Sequence, residues 1–167
     1  MKIGVIGAGT MGNGIAHVFS IYKHSVVLVD LNEEILINAL DNIKVNLSRQ
    51  LKKGLINQDT LNNAEKSIII STDIHSLESC DLVIEAIKED LDLKKNIFKK
   101  IDLICKKETI LASNTSSISI NSLANCTNRP QKVIGMHFMN PVPIMKLVEI
   151  IKGDNTSGNT INTIINL

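Results

Sequence analysis

Lys2-Ile3-Gly4-Val5-Ile6-Gly7-Ala8-Gly9-Thr10-Met11-Gly12 opens the chain, and Val26-Val27-Leu28-Val29-Asp30 follows it after one short helical stretch. Ile3 to Ile6 is an apolar, mostly β-branched run of strand length. The glycine turn comes directly after it. Gly14 to Phe19 then has helical spacing, and Val26 to Val29 forms a second apolar strand that ends on an acid. Strand, glycine turn, helix, strand, acid is the order that binds a dinucleotide. Gly7 lets the chain turn out of the strand. Gly9 has no Cβ, so a pyrophosphate can approach the backbone of Ala8, Thr10 and Met11. Gly12 lets the helix lie close to the sheet, and the helix start aims free N–H groups at the phosphates. The Asp30 carboxylate accepts hydrogen bonds from a ribose diol and repels a 2′-phosphate, which favours NAD over NADP.

The rest of the chain extends this unit. At 167 residues it can build one domain with its own core. The net charge of +1 implies no acidic polymer as partner, and only 2% aromatic residues leave no stacking surface for single-stranded nucleic acid. The apolar runs are strand-length, so neither a membrane span nor a signal peptide is expected. Cys80, Cys105 and Cys126 lack metal-ligand spacing and read as free thiols of a reducing compartment, the cytoplasm.

Helices are expected over Glu33–Lys53, with Asn32 as N-cap and Gly54 as stop, then over Gln58–Lys66, Leu91–Lys106 and Ile120–Asn125. On the third of these, Leu91, Ile97, Phe98, Ile101 and Ile104 are expected to face the sheet. Further strands are expected at Ser67–Ser71, Leu82–Ile84, Ile110–Ala112, Lys132–Met136 and Lys146–Ile151. Such alternation predicts an α/β, doubly wound, mostly parallel sheet with helices on both faces, the Rossmann type. After Gly153 a helix begins around Ile161, Ile164 and Ile165 with nothing evident to pack on. This predicts a nucleotide-binding domain over 1–152 and a truncated start of another domain over 153–167.

Ligands of open α/β sheets bind beyond the carboxyl ends of the strands. The polar residues expected there are Asp30, the Glu85–Glu89 turn, Asn114 to Ser117, and His137 to Asn140. Imidazole titrates near neutrality, so His137 suits the proton transfer that accompanies hydride loss from a carbinol. The competing reading is a hydrogen-bonded structural histidine. Glu149 is a candidate to orient the ring, and Ser116 and Asn140 are candidates to bind the substrate oxygen. His17, His24 and His75 occupy a helix, a turn and a connection and are not expected in chemistry. Lys52 and Lys53 read either as a dipole-matched helix end or as an anion contact.

Three segments together resemble the L-3-hydroxyacyl-CoA dehydrogenase family, in particular its bacterial 3-hydroxybutyryl-CoA members. They are Gly7–Gly12, Ser113-Asn114-Thr115-Ser116-Ser117, and Gly135-Met136-His137-Phe138-Met139-Asn140-Pro141-Val142-Pro143-Ile144-Met145-Lys146-Leu147-Val148-Glu149. The resemblance implies His137 as catalytic base with Glu149 as its partner. It implies Ser116 at the substrate 3-oxygen and the cofactor, Asn140 shaping the site, Glu89 and Lys94 beside the nicotinamide, and Lys53 on coenzyme A. Asn46 stands where some members carry a coenzyme A-binding serine. The implied cofactor is NAD and the implied partner a short-chain acyl-CoA, with no metal, nucleic acid or membrane. The family's helical C-terminal domain, which carries most of the homodimer interface and one wall of the acyl pocket, is not expected in this chain. The alternative is therefore a non-catalytic module that holds NAD and coenzyme A. Dehydrogenases of free β-hydroxyacids share the fold but typically use a lysine base, against which the His137 and Glu149 pattern argues.

Overall fold

The computed structural model describes all 167 residues. Seven strands form one sheet in the order β3-β2-β1-β4-β5-β6-β7. They are β1 (Lys2–Ile6), β2 (Ser25–Val29), β3 (Ile68–Ser71), β4 (Leu82–Glu85), β5 (Ile110–Ser113), β6 (Val133–Phe138) and β7 (Val148–Lys152). β1 to β6 run parallel, and β7 is antiparallel to β6. The strand order reverses at β1, between β2 and β4, and that is the switch point where such sheets bind ligands. No helix separates β6 from β7. A parallel return needs a long crossover, so this short proline-rich loop can only bring the chain back antiparallel.

The helices are α1 (Thr10–Ile21), α2 (Glu33–Lys52), α3 (Gln58–Ser67), α4 (Leu91–Ile104), α5 (Ile120–Ala124) and α6 (Gly158–Ile165). Two buried clusters, one on each face of the sheet, hold the layers together. Leu36, Ala39, Ile43 and Leu47 dock α2, and Phe98 and Ile101 dock α4. Leu91 does not face the sheet as its spacing suggests; it is exposed, one residue past the N-cap Asp90.

Past Gly153, where the start of another domain is expected, the chain stays in contact with β6 and β7. Residues 153–167 fold onto the same sheet. Thr160 is buried and its Oγ1 donates to the Gln131 carbonyl at 2.8 Å, while Ile164 joins the core. The Ser157 side chain caps α6 by accepting from the Thr160 N–H. The periodicity showed an apolar stripe, but not the β6–β7 surface that receives it.

His17, on the buried side of α1, has one ring nitrogen 3.1 Å from Gln50 Oε1 and no partner for Nδ1. Burial lowers its pKa below 6.5, against the smaller opposite pull of Gln50. The unfolded chain therefore takes up a proton that the native state resists. Stability should be fully present above about pH 6.5 and fall as the pH drops below it, by up to about 1.4 kcal/mol per pH unit. His24 is shifted the same way, chiefly by burial, then by the nearby N-terminal charge. Thermal melts from neutral to mildly acidic pH should show the decline, and His17→Gln should flatten part of it. An unchanged slope would remove His17 from the account.

Candidate active site

The glycine turn is built as the cofactor site requires. Gly7 has φ +96°, and a Cβ there would meet the Ala86 carbonyl oxygen at 2.7 Å. A Cβ on Gly12 would stand 1.7 Å from the Gly7 carbonyl oxygen, so α1 can start this close to β1 only with glycine. A Cβ on Gly9 would project into open space. This open face is the cradle a pyrophosphate fills. Gly9 is the N-cap of α1 and offers no side-chain acceptor, whereas α2, α3, α4 and α6 are capped by Asn32, Asn57, Asp90 and Ser157. The first N–H groups of α1 are thus left for an anion. Asp30, at the end of β2, accepts from the Ala8 N–H at 2.8 Å and the Asn32 N–H at 3.2 Å. These bonds orient its carboxylate, and its remaining lone pairs are available to a ribose diol. The residues present fit NAD.

Across the switch point, His137 near the end of β6 is paired in register with Glu149 of β7. Antiparallel pairing places the two side chains face to face, and His137 Nδ1 lies 2.7 Å from Glu149 Oε2. A carboxylate only accepts, so Nδ1 carries the proton and Nε2 keeps its lone pair. The His137 side chain is 22% exposed and Glu149 53%. Both open on a pocket of about 340 Å³, lined also by Thr115, Ser116, Ser117 and Asn121. Ser116 therefore shares a pocket with the imidazole. Asn140 and Lys53 do not line this pocket. Asn140 follows β6 in an exposed turn, and Lys53 caps the far end of α2. Asn46 accepts from Arg49 Nη1 at 3.3 Å.

The loop after β5 is tied down from three sides. The Asn114 N–H donates to the Glu85 carbonyl at 2.8 Å, and Asn114 Oδ1 accepts from the Phe138 N–H at 2.9 Å. The Asn114 backbone and side chain together join the carboxyl ends of β4, β5 and β6 beside His137. Glu89 accepts from the Thr115 hydroxyl, the Ser117 hydroxyl and the Ser116 and Ser117 N–H groups. Partial burial pushes the Glu89 carboxyl up, but the hydrogen bonds from Thr115, Lys94 and Ser117 with the Lys94 charge outweigh it and hold it at about 2.

Lys94, expected beside the nicotinamide, is a buried residue of α4. Its side chain is 1% exposed, and its ammonium bonds Glu85, Glu89 and the Ile87 carbonyl. It stands behind Glu89 and away from the crevice surface. Sequence reasoning gave Asn114 and Glu85 no individual role. Their signal lay in their position at strand ends, without periodicity to mark them.

This arrangement defines the class as a dinucleotide-binding domain with an imidazole–carboxylate pair at the cofactor edge. The family described as 3-hydroxyacyl-CoA dehydrogenase, NAD binding domain, matches residues 2–167, and the chain belongs to that family. It is 44% identical over 167 residues to the 3-hydroxybutyryl-CoA dehydrogenase of Clostridioides difficile, covering 100% of this chain and 59% of that protein. It is 43% identical to the mitochondrial hydroxyacyl-coenzyme A dehydrogenase of Homo sapiens, covering 96% and 53%. A crystal structure of (S)-3-hydroxybutyryl-CoA dehydrogenase from Ralstonia eutropha superposes with TM-score 0.95 at 42% identity, over 99% of this chain and 58% of that one. The chain spans about half the length of the curated relatives it matches.

Proposed function

We propose that the protein is the NAD-binding half of a dehydrogenase acting on short-chain (S)-3-hydroxyacyl-CoA. The reaction is (S)-3-hydroxyacyl-CoA + NAD⁺ ⇌ 3-oxoacyl-CoA + NADH + H⁺. The observation that carries the reading is the His137–Glu149 pair opening on the same pocket as Ser116. His137 Nε2 takes the hydroxyl proton while C3 loses hydride, and Glu149 balances the imidazolium that forms. Ser116 donates to the 3-oxygen and turns C3 toward the cofactor edge. When bound, NAD supplies the hydride acceptor, held by the Gly7–Gly12 turn and Asp30. Asn140 borders the substrate on the outer side, and Lys53 contacts a coenzyme A phosphate.

In the full-length enzyme a helical half closes the acyl pocket and pairs two subunits, as the family resemblance implies. The half-exposed Glu149 supports a second reading for this chain by itself, NAD and acyl-CoA binding with weak turnover. Three free cysteines, two of them buried, support a reducing compartment, which we take as the cytoplasm. No helix is long and apolar enough to cross a membrane.

The test follows NADH absorbance with acetoacetyl-CoA, for this chain and for the chain fused after Leu167 to the remaining part of a 3-hydroxybutyryl-CoA dehydrogenase. The fusion should oxidise NADH and discriminate against NADPH by about tenfold or more, the scale of one hydrogen bond to a charged group. A folded fusion without NADH oxidation would overturn the reading.

A further inference from the structure

Beneath the loop that carries Ser116 lies a buried charged relay that the proposed chemistry does not use directly. Glu85 ends β4 with its side chain fully buried. A carboxylate in such a place costs several kcal/mol unless it is answered. Its Oε1 accepts from Lys94 Nζ at 2.6 Å and from the Ile87 N–H at 2.7 Å, and its Oε2 accepts from the Ser113 hydroxyl at 2.6 Å. An ammonium has three protons. Lys94 has three acceptors: Glu85 Oε1, the Ile87 carbonyl at 3.3 Å and Glu89 Oε2 at 3.2 Å. Nothing remains for an outside ligand.

Glu89 is the member of the relay that reaches the surface, with its side chain 39% exposed. Its Oε1 gathers the backbone N–H groups of Ser116 at 3.2 Å and Ser117 at 3.3 Å, with the Ser117 hydroxyl at 3.0 Å. Ser113 closes the circuit, because its oxygen accepts from the Thr115 N–H at 3.2 Å while its hydroxyl proton goes to Glu85. The loop is gripped at its start through Ser113 and at its tip through Glu89. Both grips lead back to one buried carboxylate.

We propose that Glu85 is a positioning residue of the site. Acting through Lys94, it fixes the Glu89 carboxylate under the Ser116–Ser117 backbone and so sets the Ser116 hydroxyl against His137. Removing Glu85 leaves Lys94 without its innermost anchor, and the ammonium no longer holds Glu89 at one place. The geometric part stands on the fold alone. The catalytic consequence rests on the dehydrogenase reading.

The test is a double-mutant cycle of Glu85→Gln, Lys94→Met and the pair together. The double variant removes the buried ion pair as a unit, which proteins tolerate better than a lone buried charge, so Glu85→Gln can still be compared with it if Lys94→Met fails to fold. The structural readout, made on this chain by NMR, is hydrogen exchange of the Ser116 and Ser117 amides and titration of the Glu89 carboxyl. Glu85→Gln should speed exchange at both amides by about tenfold or more, the equivalent of one charge-assisted hydrogen bond. The double variant should show no further increase, because Glu85 works through Lys94. It should also bring Glu89 up from about 2 toward the ordinary 4.5. In the fusion, kcat should fall by about 10²-fold, the cost of a misplacement of roughly 1 Å. Unchanged amide exchange in folded Glu85→Gln would overturn the proposal, as would additive effects of the two substitutions. A fusion inactive from the outset would sink the dehydrogenase reading and leave the exchange result to decide the role of Glu85.

Discussion

A His137→Gln variant of the fusion should bind NADH as the parent does and lose turnover by about 10²–10⁴-fold, the range for a general acid–base group. Glutamine keeps a polar side chain of similar reach but cannot take a proton. His137 touches neither the glycine turn nor Asp30 by any hydrogen bond, so the cofactor site should stay intact. The loss therefore belongs in kcat, read from acetoacetyl-CoA reduction, with cofactor affinity read separately by NADH fluorescence. Glu149→Gln should cost less. At 53% exposure, water can replace part of what its carboxylate does for the imidazolium. Near-normal turnover in His137→Gln would remove the histidine from the chemistry.

The His137–Glu149 pair was legible because a strand has period two and the two residues bracket a rigid turn. Antiparallel registry then brings them opposite one another. The glycine turn was legible for a different reason. Each glycine answers a local steric demand, and the demand leaves its mark at a fixed spacing. Lys94 shows where such reading stops. It stands beside Lys95 near the start of an amphipathic helix, and the sequence gives no sign that one of the two is buried. Its burial depends on Glu85, which arrives from a different strand and offers an acceptor under the helix. Long-range pairing of buried charges has no period and no local propensity. The same limit hid the docking of α6, whose stripe of Ile161, Ile164 and Ile165 was visible while the β6–β7 surface beneath it, and the buried Thr160, were not. Lys53 and Asn140 mark the converse case. The resemblance implies Lys53 on coenzyme A and Asn140 shaping the site, and the pocket around His137 is lined without either.

Another charged pair is set apart from the chemistry, and its removal should have the largest effect on stability. Arg129 lies just before β6 and reaches under the end of α4. Its Nε donates to Asp102 Oδ1 at 2.6 Å. Its Nη1 donates to the Lys106 carbonyl, and Nη2 donates to the carbonyls of Asp102 and Cys105. No basic residue sits in the last turn of α4, so this one guanidinium satisfies the Asp102 and Cys105 carbonyls, which would otherwise end the helix unpaired. Asp102 Oδ2 meanwhile accepts from the Asn128 backbone N–H at 2.8 Å and its side-chain amide at 2.9 Å. Both charged side chains are nearly buried, at 10% and 3% exposure.

Arg129→Ala leaves the Asp102 carboxylate buried with neutral partners alone, and it strips the Asp102 and Cys105 carbonyls of their donor, while the Lys106 carbonyl keeps the Thr109 N–H. Breaking one side of a buried pair costs about 3–5 kcal/mol. For a domain of this size that is a fall in Tm of about 10 °C or more. Asp102→Ala should be nearly as harmful, because it strands the guanidinium. The double variant Arg129→Met, Asp102→Leu removes both charges and restores apolar volume, so its loss should be well below the sum of the single losses. Scanning calorimetry of the four proteins reads the coupling directly. Equal and additive losses of under about 1 kcal/mol each, the scale of a surface pair, would show that the ion pair does not hold α4 against the sheet.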